Sequence, residues 1–270
     1  MRVVKIIKII LCFYLFVLGL FSCEKNKDAD SSSNPNCTDY ESPPFSGTIF
    51  IDPDIITSSD PSTFVSLSYN GRAQRTMFDR RVADWITISP YLFPAIFDDS
   101  MTIEIQVNPE FGTHEESQVQ AEKFAPVIGR LTTELRKDVE TVWIHKGVQP
   151  FGGGNNNLLI HTDYSALHYE DQGILEETFV HEAAHTSLDA YHSTTSQWIK
   201  AQEEDCRFIS NYAEEHPTRE DIAESYLPYF AVRYRSDRIS TELKEKIESA
   251  IPKRIQYFDS QSFKMHPVTE

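Results

Sequence analysis

His181-Glu182-Ala183-Ala184-His185 sets two imidazoles four residues apart with a carboxylate directly after the first. On a helix, four residues advance the chain by about 400° and about 6 Å, so both imidazoles share one face. Two imidazoles so placed can reach one divalent cation at about 2.0–2.1 Å. Glu182 is rotated off that face and could meet a water polarised by the metal without ligating it. The flanking Phe179, Val180, Ala183, Ala184 and Thr186 are uncharged and mostly small or apolar. A helix of that kind is buried on most sides, and a buried imidazole pair without a partner would be costly.

A catalytic zinc needs a third protein ligand, and two segments could supply it. His192 follows His185 by seven residues, with Leu188 between them. Glu220-Asp221-Ile222-Ala223-Glu224 repeats the four-residue spacing with carboxylates.

The His181–His185 motif resembles the zincin superfamily of metallopeptidases. The metzincin group places its third histidine six positions on, after a glycine, so His192 and Leu188 match it poorly. The gluzincin group takes a glutamate from a later helix, and the Glu220–Glu224 segment is similar to that of neprilysin-like enzymes and lethal-factor-like toxins. The resemblance makes Glu220 the third ligand and Glu224 the support of His181. Asp189, four after His185, stands where thermolysin-like sequences carry an aspartate that fixes the imidazole tautomer. It implies Zn2+ as cofactor, a peptide or protein as substrate, and Glu182 as general base. It also implies a donor to the oxyanion, from Tyr212, Tyr226, Tyr229 or His216. Tyr212 leads, standing eight before Glu220. A sheet edge near "NNNLLIHT" would pair with the substrate, and Gly152–Gly154 would allow close backbone approach. A tethered binding or adhesion protein that keeps this fold without turnover is the alternative. His114, His145, His161, His168 and His266 lack motif spacing and read as surface or core histidines.

The elements that must position these residues follow from patterning. "GTIFIDP" and "MTIEIQVNP" alternate apolar and polar residues and stop at Asp-Pro or Asn-Pro, as half-buried strands do. "ADWITISPYLFPAIF" is aromatic and interrupted by prolines, which predicts edge strands and turns. A helix is predicted over 118–137, strands at "VETVWIHKG" and "LLIHT", and "FGGGNNN" as a loop between them. Helices follow over 174–192, 196–215, 218–235 and 240–257, with breaks marked by Pro217 and Pro252. The fold class is α+β and the resemblance implies a zincin-like one: a small mixed or antiparallel sheet on an active-site helix, then a mostly helical C-terminal half, with a β-rich N-terminal part.

The N-terminus reads as an address. A basic start and an apolar run from Ile9 to Phe21 are too short to span a bilayer and have the layout of a secretory signal. Leu20-Phe21-Ser22-Cys23 resembles a bacterial lipoprotein cleavage box, which implies lipidation at Cys23 and an exported, membrane-anchored protein. The expected organisation is 1–22 signal, 23–44 flexible tether, 45–112 β-rich region and 113–270 metallopeptidase-like domain. Losing Arg2, Lys5 and Lys8 would take the formal charge from −16 to −19, a balance that disfavours nucleic acid as a partner. Cys37 and Cys206 could pair across an oxidising compartment or stand as free thiols.

Overall fold

The computed structural model describes Cys37 and residues 40–269. The expected signal segment and Cys23 lie outside the described residues. Among the described residues no helix is long and apolar enough to cross a membrane.

Six strands form one mixed sheet. In spatial order they are β1 (Phe64–Leu67), β4 (Tyr91–Phe97), β5 (Thr102–Val107), β6 (Thr141–His145), β8 (Asn157–His161) and β7 (Gly152–Gly154). β5, β6 and β8 run parallel, and the remaining neighbours are antiparallel. The strands of the 45–112 region and those after residue 140 therefore share one sheet. A separate ribbon of β2 (Arg75–Asp79) and β3 (Asp84–Ile88) completes the β structure.

Alternation sorts the side chains to two faces. Val142, Ile144, Leu158 and Ile160 point into the main core, where the helices pack. Trp143 and Leu159 point the other way and meet Met77 of the ribbon. Both faces of β8 are thus covered, which is why "LLIH" reads as a continuous apolar run. "LLIHT" is not the sheet edge. The edge is β7, in the stretch expected to be a loop, and Asn155 and Asn156 make the two-residue turn into β8. Both have positive φ, 51° and 56°, which asparagine tolerates and a primed hairpin turn requires.

The connections are helical. α1 (His114–Gly129) opens with a capping box between Thr113 and Glu116. The helix expected through residue 137 breaks at Arg130, and Thr132 caps a second short helix, α2 (Thr133–Arg136). After α3 (Thr162–Tyr164) and a π-helical turn over Ser165–Glu170 comes α4 (Leu175–Ser187), which carries the His-Glu-x-x-His motif, followed by α5 (Asp189–His192). The helix expected over 196–215 is split. α6 (Ser196–Asp205) ends at Cys206, whose φ is 50°, and Ser210 caps α7 (Asn211–Glu215). α8 (Asp221–Tyr234) is buried from Asp221 through Val232, as its near-continuous apolar sequence demands. α9 (Thr241–Ala250) and α10 (Pro252–Asp259) close the chain, divided at Ile251–Pro252.

Several ties fix the start of α8 and the N-terminal segment. Arg254, fully buried, donates to Asp221 at 2.8 Å and Asp205 at 2.9 Å, joining α10, α8 and α6. Cys37 and Cys206 form a disulfide. Phe45 bridges to Ser210, and Arg207 donates to the Ser42 carbonyl oxygen, so the end of the expected tether lies against the folded body.

Candidate metal centre

His181 and His185 project from α4 toward the N-terminus of α8, where Glu220 occupies the cap position. The two Nε2 atoms are 3.2 Å apart. Glu220 Oε2 lies 3.2 Å from His185 Nε2 and 3.6 Å from His181 Nε2. These three side chains could hold a metal ion. Bonds of about 2.05 Å to a tetrahedral ion put its ligand atoms about 3.3 Å apart, which matches the triangle. Glu220 Oε2 is buried and has the two imidazole Nε2 atoms as its polar neighbours, as an oxygen sharing a cation with them would.

Each candidate ligand is held from behind. Asp189 Oδ2 accepts from His185 Nδ1 at 2.8 Å, which leaves Nε2 with its lone pair toward the triangle. Glu224 Oε1 lies 3.4 Å from His181 Nδ1. Glu224 is itself anchored by the Ser210 hydroxyl at 2.6 Å and by the Ile49 backbone N–H. The other oxygen of Glu220, Oε1, accepts from Tyr212 at 3.1 Å and from Arg219 Nε at 2.8 Å. Ile49 thus brings the N-terminal region to the site from a great distance in sequence.

The electrostatics are those of a cation cradle. Burial works against charge on His185, but hydrogen bonds to Asp189 and Glu220, with the nearby carboxylate charges, outweigh it and raise the imidazole to about 10. Burial also pushes the Glu220 carboxyl up, and its two histidine neighbours outweigh that and hold it well below the usual carboxylate range. Burial raises Asp189 and Glu224. Carboxylates that hold a proton this firmly on an imidazole also favour a divalent ion in its place.

The triangle opens into a cavity of about 600 Å³, which Glu182 also lines. β7 forms one wall. A Cβ built on Gly153 would stand 1.8 Å from the backbone oxygen of Glu182, so only glycine permits this approach of strand to helix. Thr186 locks the contact: its hydroxyl accepts from Gly154 N–H and donates to the Asn157 carbonyl oxygen, both at 2.8 Å.

Of the other residues singled out from sequence, Tyr212 lines the cavity. Tyr226 and Tyr229 are buried against Phe258, and His216 packs edge-on to Tyr212. His192 accompanies Tyr257, 2.7 Å from its hydroxyl, outside the ligand triangle. His145 and His161 are stacked core residues on β6 and β8. Sequence reasoning missed Phe50, Arg80, Phe151, Tyr164 and Tyr169, which also line the cavity. None carried a spacing signal, since each arrives from a different element.

No family model, curated protein or solved structure matches this chain.

Proposed function

We propose that the protein is a zinc-dependent peptidase. The observation that carries the reading is the His181–His185–Glu220 triangle, with Glu182 lining the same cavity. The donor set and its spacing favour zinc. An octahedral ion with bonds of about 2.1 Å would draw the same atoms to about 3.0 Å. When bound, zinc lowers the pKa of water toward about 7 and polarises a carbonyl oxygen.

Glu182 takes the proton from the attacking water and passes it to the leaving nitrogen. Tyr212, already poised beside the ligand carboxylate, donates its hydroxyl to the developing oxyanion. β7 ends the sheet, so an extended peptide can add along it as a further strand, next to Glu182. Asp189 and Glu224 keep both imidazoles aimed at the cavity.

Metal analysis of the purified protein and cleavage of an unstructured protein by wild type and Glu182→Gln test the reading. One zinc per chain, with hydrolysis lost in Glu182→Gln, supports it. Zinc present with equal and negligible cleavage by both proteins would overturn it.

A further inference from the structure

Arg80 differs from every other described arginine. Each of the others donates a hydrogen bond to a carboxylate or carbonyl oxygen. Arg80 has neither a hydrogen bond nor an ion pair with any described residue, in a chain with 41 acidic and 25 basic side chains. It is exposed at the turn of the β2–β3 ribbon. Its guanidinium rests on the edge strand: a Cβ built on Gly152 would lie 2.8 Å from Nη2.

From there Arg80 lines two cavities at once, the metal cavity and a second one of about 300 Å³. The second is walled by Phe78, Trp85, Trp143 and Leu159, and Gly153 and Gly154 border both. Trp85 stands edge-on to Trp143 at 5.4 Å and is 49% exposed, an aromatic surface left open beside an unpaired cation.

A strand added along β7 sends successive side chains to opposite faces of the sheet. One set enters the metal cavity and the other the aromatic cavity, with a guanidinium at their shared wall. The geometry points to Arg80 as a specificity-determining residue. It binds a carboxylate side chain of an extended peptide, next to a large apolar side chain seated against Trp85 and Trp143. A planar, bidentate donor suits a carboxylate. The inference deepens the peptidase reading and rests on it for turnover, though not for binding.

The test uses peptide sets that differ only by Glu, Gln or Lys at each successive position, with a large apolar residue alongside. Binding to the zinc-loaded Glu182→Gln protein is read by fluorescence anisotropy, and cleavage by wild type is read in parallel. At one position the Glu peptide is preferred about tenfold, Arg80→Gln removes that ratio, and Arg80→Glu turns it toward Lys. A ratio does not depend on the fraction of protein folded. Ratios that persist in Arg80→Gln overturn the inference alone. The expected binding ratio without cleavage of any peptide leaves the inference standing and sinks the peptidase reading. Peptides that fail to bind at all overturn both.

Discussion

Gly153 and Glu182 meet backbone to backbone, so closely that a Cβ on the glycine would sit 1.8 Å from the glutamate's carbonyl oxygen. Neither partner is a flexible side-chain end, so the clash cannot be relieved by a rotamer change. Gly153→Ala is expected to cost about 1–3 kcal/mol, the range of core overpacking, and to displace β7 from α4. Gly152→Ala meets only the tip of Arg80 and should cost much less. Urea unfolding of the two variants checks the contrast in stability.

The hydrogen bond from His185 Nδ1 to Asp189 fixes which imidazole nitrogen faces the metal triangle. Asp189→Ala frees the ring to rotate and to change tautomer, and metal affinity should drop by about 10–100-fold. Asp189→Asn keeps an acceptor and should lose less. Competition with a chromophoric chelator measures both, with circular dichroism confirming the fold.

Arg254 positions the site from outside it. Its guanidinium neutralises Asp205 and Asp221, all three side chains fully buried, and Asp221 is the residue after Glu220. Arg254→Leu leaves two buried carboxylates without a counter-charge and should cost about 3–5 kcal/mol. Adding Asp205→Asn and Asp221→Asn should recover part of that loss. Denaturant midpoints of the single and triple variants decide it.

The candidate site was readable because helix geometry carries it: His181, Glu182, His185 and Asp189 lie within nine residues, and Glu220 and Glu224 repeat the spacing. That Glu220 faces the histidines is a tertiary fact, which only a family resemblance suggested. The edge strand was misplaced for a physical reason. "LLIH" has the unbroken apolar character of a strand covered on both faces, whereas Gly152–Gly154 has no side chains to show a pattern and is a strand through backbone pairing alone. The helix breaks at 130–132 and 206–210 were hidden because apolar spacing runs on through Leu131 and Ile209. Arg80 and Phe151 reach the cavity only through packing.

Asp60 ties the N-terminal region to the loop after α8, accepting from Arg238 at 2.6 and 2.7 Å with Arg235 beside it. Burial works to raise its carboxyl, but the Arg238 hydrogen bonds, the Thr57 N–H and the two guanidinium charges lower it from 3.8 to about 2. A depressed folded-state pKa means the unfolded chain binds the proton more readily. The contribution is therefore complete above about pH 4 and is lost as pH falls toward 2, about 1–2 kcal/mol after solvent screening. Asp60→Asn should flatten that part of the stability–pH curve, and unfolding midpoints between pH 2 and 6 test it.

Tyr212 has two possible uses, because its hydroxyl donates to Glu220 Oε1 while its ring lines the cavity. Propping Glu220 is a task Arg219 shares, with its Nε 2.8 Å from the same oxygen. Removing the tyrosine hydroxyl therefore leaves the ligand carboxylate with one of its two donors and the metal in place. Donation to the oxyanion has no such substitute among the cavity's tyrosines: Tyr164 and Tyr169 come from the helical segments after β8, not from the Glu220 side. Tyr212→Phe should thus keep about one metal per chain and lower kcat by about 10²–10³-fold, the loss typical of one oxyanion donor, with KM little changed. Metal content and steady-state kinetics on the same sample separate the two uses. A variant that loses its metal while the remaining holoenzyme turns over normally would reduce Tyr212 to a support for Glu220.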